Sequence, residues 1–521
     1  MSAEVTTSAA TWQPKANPWL IALAVMSATF MEVLDTSVAN VSLPHIGGTL
    51  SASTDEATWV LTSYLVSNAI ILPATGWLSS FFGRKKLLIT CIVIFTLASA
   101  LCGAANSLGV LIFARVLQGI GGGVLQPTAQ SVMMESFPVE KRGPAMAVYA
   151  MGVIVAPIIG PTLGGWITDN YSWRWIFYIN IPVGIFAVLM ARAFIEDPPY
   201  LNRNVRNQID YMGFSLMAIF LGTAQIVLDK GQQEDWFSSS LICWLTVIAV
   251  VTFIAFIYQE LHTAEPIVNL RVFRDRNFAN GMLMMTVVGA VMYSTTAVLP
   301  LFLQSLMGYS SVQSGLAVSP RGIGSFISMI VGARLVGKIE ARILISFGFA
   351  LLGISVFWLS GLNLDVAQSN IIWPNIVNGF SMGFIFVPMS TMSLGTLGRE
   401  QIPNATGISS LMRNLGGGIG ISAATTMLAR GAQIHQAQLV QHLTPYDQPF
   451  RQRVQEFQAL MHAPLQQTYA YFYGTLLKQS LLLSFIDIFR VLAITCFICI
   501  PLTFLFKKVK ARTSGADQGM H

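Results

Sequence analysis

Charge is scarce in this chain: only 10% of its 521 residues are Asp, Glu, Lys or Arg, where soluble domains carry about 25%. Cysteine is scarcer still. Cys91, Cys102, Cys243, Cys496 and Cys499 lack the paired spacing of a zinc site or a disulfide framework, and Cys496-x-x-Cys499 has no soluble redox context around it. The phosphate-cradling pattern G-x-x-x-x-G-K-[ST] is missing, so no nucleotide energy source is encoded. No hydrolytic triad, metal-ligand cluster or nucleic-acid module is visible, which argues against an enzyme and leaves no cofactor to assign beyond protons as coupling ions.

What fills the space is apolar, with 54% hydrophobic residues. Runs of about 17–25 residues, long enough to cross a hydrocarbon core as helix, recur with short polar gaps. We place fourteen spans at 18–41, 57–79, 87–105, 109–130, 144–168, 174–195, 211–228, 239–259, 278–304, 313–335, 342–361, 371–393, 404–428 and 480–506. The first is not expected to be a removable signal peptide, because its apolar run continues past Glu32 without a small-residue cleavage pattern.

Cations alternate between the gaps: Arg84, Lys85 and Lys86; Lys141 and Arg142; Arg203 and Arg206; Arg271, Arg274 and Arg276; Arg334, Lys338 and Arg342; Arg399; then Lys507, Lys508, Lys510 and Arg512. By the positive-inside rule those gaps and both termini face the cytoplasm. The net charge of +6 then marks topology and attraction to an anionic inner leaflet rather than to nucleic acid. The other gaps are nearly free of cations except Arg174, Lys230 and the long stretch 429–479. That stretch is rich in Gln, shows helical spacing in HQAQLVQHL and RQRVQEFQALM, and reads as an amphipathic periplasmic cap or an interfacial linker.

An ionised side chain at mid-membrane costs roughly 2.5–3.5 kcal/mol on insertion scales, so it persists where it pairs, titrates or lines a watery path. Arg115 lies within LIFARVLQGIGGGVLQP, and Glu32 and Asp35 within ATFMEVLDTSVANVSLP. Asp35 and Arg115 each sit about six residues from the outer end of their span, hence at similar depth at 1.5 Å per residue. Facing one another, they form either a proton-coupling switch, whose carboxylate responds when the Arg moves, or a fixed tie between helices. Glu32, three residues before Asp35 on nearly the same face, is a second proton site, a contact for a cationic substrate, or a solvated carboxylate. Asp487 and Arg490 form an i,i+3 pair in the last span. Arg321, directly after Pro320, is placed to meet an anionic substrate group, and Arg413, beside Gly416 and Gly417, reads as a second-half gate. All six histidines fall outside the spans, leaving intramembrane protons to carboxylates.

The chain repeats itself. Arg115-V-L-Gln118-Gly119-x-x-x-Gly123 with Pro127 recurs as Asn375-I-V-Asn378-Gly379-x-x-x-Gly383 with Pro388, and Pro138 to Gly165 shadows Pro403 to Thr426. Two related halves with a site at their interface are the plan that permits alternating access by rocking. The spans 211–228 and 239–259 have no counterpart and read as inserted.

These motifs resemble the major facilitator superfamily, in its fourteen-span drug:proton antiporter branch of the EmrB/QacA type, over essentially the whole chain. The first-helix pattern L-D-x-T-x-x-N-x-x-x-P reads Leu34, Asp35, Thr36, Asn40 and Pro44. The loop pattern G-x-L-x-D-x-x-G-R-K reads Gly76, Leu78, Ser80, Gly83, Arg84 and Lys85, with Ser80 where the family has Asp. R-x-x-Q-G matches Arg115, Gln118 and Gly119, and the antiporter motif matches Gly152, Pro157, Gly160, Pro161, Gly164 and Gly165. The branch is also suggested by Trp173 to Pro182, Leu228 to Gly231, Leu299 to Gln304 and Arg413-Asn414-x-Gly416-Gly417.

The resemblance implies an all-α polytopic membrane protein of major facilitator fold. A cytoplasmic tail (1–17) precedes a six-helix bundle (18–195), two inserted helices with their loops (196–277), a second six-helix bundle (278–506) and a cytoplasmic tail (507–521). It implies proton-coupled export of hydrophobic compounds across a bacterial cytoplasmic membrane, with a periplasmic membrane-fusion adaptor and an outer-membrane channel as partners. Proton coupling falls to Asp35, Arg115 and Glu32; substrate contact or gating to Asn40, Gln118, Arg321, Arg413, Asp487 and Arg490. The prolines and glycines from Gly152 to Gly165 would bend or seal the fifth helix, and Gly76 and Gly83 would allow close helix approach while Arg84 and Lys85 fix topology. The rival readings are a carrier of one endogenous amphiphile, such as a fatty acid or siderophore, and a non-transporting receptor or scaffold.

Overall fold

The computed structural model describes residues 14–138, 141–197, 210–263, 266–336, 338–462 and 464–507. Most of both tails, including Lys508, Lys510 and Arg512, and the loop bearing Arg203 and Arg206 lie outside the described residues. The first half runs through α1 (Pro18–Leu50), α2 (Thr54–Phe82), α3 (Arg84–Ala104), α4 (Leu108–Ser136), α5 (Arg142–Asn170), α6 (Trp175–Tyr178) and α7 (Asn180–Phe194). Then come α8 (Tyr211–Lys230) and α9 (Ser240–His262), and the second half: α10 (Arg276–Ser305), α11 (Ser311–Val318), α12 (Pro320–Leu335), α13 (Ala341–Leu359), α14 (Ser369–Gly395), α15 (Ile402–Val440), α16 (Gln448–Met461) and α17 (Leu465–Leu502). No named strand occurs among the described residues, as expected where backbone groups must be satisfied within each segment.

Among the described residues, thirteen helical stretches are long and apolar enough to span a bilayer, with α6–α7 and α11–α12 each counting as one. The expected thirteenth span is the helix α15, which falls short of that criterion. Its membrane portion is rich in Gly, Ser, Thr and Asn, and many of those residues, including Thr406, Ser409, Ser410, Gly416, Gly417 and Gly420, are buried against protein. α15 packs on α10, α2 and α17, so its surroundings do not demand lipid-compatible side chains.

Helix ends depart from the apolar limits. α1 continues to Leu50, α15 to Val440, and α17 begins at Leu465, because hydropathy marks the hydrocarbon boundary whereas a helix extends as far as its backbone bonds and caps allow. Residues 429–479 therefore consist of two projecting helix ends with α16 folded between them. Phe450 of α16 meets Tyr469 and Phe472, and Phe457 stacks on Tyr471 at 4.5 Å.

The halves touch at both ends of their interface. At the end bearing Arg84, a Cβ on Gly76 of α2 would lie 2.7 Å from the Asn404 backbone of α15, and one on Gly407 would lie 2.9 Å from the Leu72 carbonyl. At the other end Gly315 of α11 faces Thr162 of α5. α8 and α9 pack on one another, and α8 also lies on α2 and α15. Asp229 accepts from Thr62, Lys230 donates to Thr58, and the Trp236 indole donates to Thr426 Oγ1 at 3.0 Å. The inserted pair thus holds both halves at once.

Candidate functional site

Asp35 and Arg115 meet. Arg115 Nη1 donates to Asp35 Oδ2 at 2.6 Å, and both side chains are about as inaccessible as the core. Gln118 Nε2 and Asn180 Nδ2 donate to Asp35 Oδ1 at 2.9 and 2.6 Å, and Gln118 also donates to Ser99 Oγ at 2.7 Å. Arg115 Nε donates to the Val60 carbonyl at 3.0 Å. Helices α1, α4 and α7 therefore meet at one carboxylate, α3 braces both amide donors through Ser99 Oγ, and α2 holds the cation through the Val60 carbonyl. Such a buried pair survives because further hydrogen bonds back both charges, two amides on the carboxylate and the Val60 carbonyl and Gln118 Oε1 on the guanidinium, although Arg115 Nη2 has no partner among the described residues.

Glu32, one turn away, does not join that cluster. Tyr64 Oη donates to its Oε1 at 2.9 Å, Asn68 Nδ2 to Oε1 at 3.3 Å, and Gln126 Nε2 to Oε2 at 2.6 Å. The Oε1 of Gln126 accepts in turn from Arg413 Nη2 of α15. Gln126 thus relays between a carboxylate of the first half and a guanidinium of the second. Tyr64 joins the two clusters, for Arg115 lies over its ring at 4.4 Å while its hydroxyl reaches Glu32. The result is one buried polar chain, Asp35, Arg115, Tyr64, Glu32, Gln126, Arg413, crossing the interface.

Tyr64, Asn68, Gln126 and Asn180 were not singled out as site residues. Their sequence signal is polarity inside apolar spans, with Tyr64 and Asn68 at i,i+4 on one face and Asn180 within the Trp173 to Pro182 motif. Arg413, expected as a second-half gate, is buried beside Gly416 and Gly417 with its guanidinium 5.8 Å from the Phe386 ring.

The antiporter motif is explained by packing. α5 stays one helix from Arg142 to Asn170 through both prolines. Pro161 has no N–H to give the carbonyl four residues back, and Ser37 Oγ donates to that carbonyl, Pro157 O, at 3.1 Å. A Cβ on Gly160 would overlap the Ser37 side chain, one on Gly152 the Met26 methyl, and one on Gly164 would lie 2.9 Å from Val38. Gly165 differs: nothing lies within 4 Å of the place its Cβ would take, so it makes no close helix contact. Gly160→Ala should cost about 1–3 kcal/mol of stability by overpacking, and Gly165→Ala less than about 0.5 kcal/mol. Thermal unfolding of the two variants in one detergent checks the contrast; equal melting temperatures would refute it.

In the loop motif Ser80 Oγ turns back to the Trp77 carbonyl at 2.8 Å and latches nothing else. Arg84, expected to fix topology, is buried and grips Glu135 of α4 with two bonds, Nη1 to Oε2 at 2.8 Å and Nη2 to Oε1 at 3.1 Å. Glu135 was missed because it sits at the end of an apolar span, where a carboxylate draws no notice. Gly83, at φ 80°, turns the chain so that Arg84 enters α3 facing inward. Arg84→Ala should destabilise the protein by about 3–5 kcal/mol, since it strands a buried carboxylate, and Glu135→Gln by less; detergent melts read both. Lys85 keeps an exposed head, its Nζ donating to the Arg192 carbonyl at 2.7 Å.

Two further positions depart from expectation. Asn40 is exposed near the outer part of α1 and joins neither cluster, because it lies more than one turn beyond Asp35. Asp487 and Arg490 do pair, at 3.7 Å, but the shorter contact of Asp487 is with His435 Nε2, at 2.8 Å. His435 lies on the end of α15 that extends beyond the expected span 404–428. Arg321 is fully buried on α12, and its Nη1 donates to Thr296 Oγ1 of α10 at 2.7 Å.

Residues 25–421 match the family model of the Major Facilitator Superfamily. The chain is 37% identical over 505 residues to the multidrug export protein EmrB of Escherichia coli (strain K12), covering 96% of this chain and 98% of that one. It is likewise 37% identical over 490 residues to the fatty acid resistance protein FarB of Neisseria gonorrhoeae, covering 94% and 96%. The colistin resistance protein EmrB of Acinetobacter baumannii is 29% identical over 508 residues, covering 96% and 99%. Among solved structures, the human organic anion transporter MFSD10 superposes with a TM-score of 0.58 at 10% identity, covering 92% of this chain and all of that one. An inward-facing bacterial homologue of the lysosomal transporter Spinster gives 0.54 at 17%, covering 95% and 99%. With its two helix bundles, buried interfacial polar chain and near full-length kinship to the EmrB proteins, this chain belongs to the major facilitator superfamily and is a multi-pass membrane transporter of the EmrB group.

Proposed function

We propose that the protein exports hydrophobic and amphiphilic compounds across the bacterial cytoplasmic membrane in exchange for protons, by rocking of its two halves. The observation that carries this reading is the polar chain. It contains two carboxylates on one helix, Asp35 paired within the first half and Glu32 connected through Gln126 to the second. Protonating Asp35 removes the charge that holds Arg115, freeing it to lean on Tyr64; protonating Glu32 removes the acceptor that orients Gln126 toward Arg413. Either event loosens a contact that a rocking motion must change, so proton and conformation are linked.

A single proton moving through 100 mV gains roughly 2.3 kcal/mol, which sustains about a fifty-fold substrate gradient. The Escherichia coli EmrB relative is named for multidrug export and supports a broad substrate range, while the FarB relative supports a second reading, export of a fatty-acid-like amphiphile. The projecting ends of α15 and α17 with α16 offer a surface to a periplasmic membrane-fusion adaptor and so to an outer-membrane channel, with the cation-rich loops and both termini cytoplasmic.

Proteoliposomes loaded with a pH-sensitive dye test the exchange. Adding a lipophilic cation, a hydrophobic weak acid or a long-chain carboxylate should move protons in step with substrate; binding of all three without proton movement would defeat it.

A further inference from the structure

Among the described residues, Arg321 is the one fully buried cation of the second half whose charge no acid answers. Arg413 is engaged through Gln126 and Glu32, but Arg321 has only the Thr296 hydroxyl. Its Nε and Nη2 are buried without a hydrogen-bond partner among the described residues. Those two nitrogens form one edge of the guanidinium, the edge whose parallel N–H bonds match the two oxygens of a carboxylate.

The neighbourhood supplies no counter-charge. None of α10 to α15 contains Asp or Glu. Of the helices packed on α12, only α5 has an acid, Asp169, which is exposed near the end of that helix. Thr162 of α5 abuts Gly315, so counting helical rise puts Asp169 roughly 20 Å from the level of Arg321.

The fold also holds Arg321 in place. A Cβ on Gly379 of α14 would overlap the Arg321 carbonyl, as one on Gly324 would overlap the Ile376 carbonyl, so α12 and α14 are locked backbone to backbone. In the first half the equivalent glycine, Gly119, abuts the Tyr64 carbonyl, which makes Arg321 the counterpart of Tyr64, the residue that bridges the first half's clusters. Asn375 and Asn378 stand where Arg115 and Gln118 stand in the repeat. The second half thus carries its cation on α12, where no acid comparable to Asp35 meets it. Arg321 lies in the middle third of the span Val312–Leu335, beside the interruption at Pro320, where Ser319 Oγ takes up the Leu316 carbonyl that proline cannot serve.

We infer that Arg321 and Thr296 form the subsite for the head group of a monoanionic amphiphile, a carboxylate received on the Nε and Nη2 edge while Thr296 holds Nη1. One guanidinium with no second cation suits a single negative charge rather than a phosphate dianion. The inference rests on the export reading and adds to it a substrate class.

The test uses full-length protein in lipid nanodiscs at pH 8, where a simple carboxylate is ionised, and three probes built on a ten-carbon chain: decanoate, decanol and decyltrimethylammonium. Calorimetry against protein-free nanodiscs should show the native chain preferring decanoate to decanol by about tenfold or more. Arg321→Gln should erase that preference, Arg321→Lys should keep part of it, and Thr296→Val should weaken decanoate a few-fold while leaving decyltrimethylammonium unchanged. Decanoate binding equal to native in Arg321→Gln, or no preference in the native chain, overturns the assignment. Should Arg321→Gln fail to fold, Thr296→Val decides, and unchanged decanoate affinity there is the contrary result. Proton flux in proteoliposomes is scored separately: a native chain that binds decanoate through Arg321 yet moves no probe refutes the export reading and leaves the subsite standing.

Discussion

Asp35→Asn stops substrate-driven proton movement and lowers energised export to the background of protein-free vesicles, a fall of at least about a hundredfold. The size follows from the pair itself. Removing one partner of a buried ion pair costs roughly 3–5 kcal/mol because the other charge is left uncompensated, and each 1.4 kcal/mol is a factor of ten. Arg115 keeps the Val60 carbonyl and the Gln118 amide oxygen, but it loses the only negative charge hydrogen-bonded to it.

Loss of activity alone does not separate a coupling site from a tie between helices, and the double variant Asp35→Asn/Arg115→Leu does. It removes the stranded cation, so thermal stability should return most of the way to native. Export should not return, because no titrating group remains on α1 at that level. Recovery of export in the double variant would mean that the pair is a tie and nothing more.

Arg413→Gln lowers energised export by about ten- to a hundredfold while equilibrium substrate binding changes little. A hydrogen bond to a charged group contributes about 1.5–3 kcal/mol, and here it is the link by which the second half senses Glu32. Glu32→Gln should act similarly. Residues acting through one relay are not additive, so Glu32→Gln/Arg413→Gln should be no worse than the more damaged single variant. Losses that multiply in the double variant would show that Glu32 and Arg413 act independently and that Gln126 carries no coupling.

How much of this was legible beforehand depended on cost. Asp35, Arg115 and Glu32 stand out because charge inside an apolar run is expensive, and the similar depth of Asp35 and Arg115 pointed to their meeting. The neutral members of the chain, Tyr64, Asn68, Gln126 and Asn180, carry no such mark; they matter through three-dimensional direction, which one sequence does not encode visibly. Arg84 and Glu135 were obscured for the opposite reason, since charges at span ends are ordinary and only the fold shows that Gly83 turns Arg84 inward. The glycines of α5 were recognisable as a packing motif, but which of them touch α1 is a matter of helix facing, and Gly165 faces away.

The α15 span was placed among the apolar runs at 404–428, and the repeat of Pro138 to Gly165 in Pro403 to Thr426 agrees with it, although its composition is barely that of a membrane helix. The contact of His435 with Asp487 was not visible because the helix that carries the histidine continues beyond the apolar run. Arg321 was noticed next to Pro320, whereas its unshared edge became apparent only when every neighbouring helix could be checked for an acid.

The most direct test of proton-coupled export is transport in proteoliposomes of the native chain under a preset pH gradient, with membrane potential clamped to zero and a lipophilic cation as the probe. A gradient with the acidic side on the extracellular face should drive the probe toward that face, its reversal should reverse the flow, and collapse of the gradient should leave only passive leak. Uphill transport that persists undiminished after the gradient is collapsed, or that ignores its direction, would contradict the account.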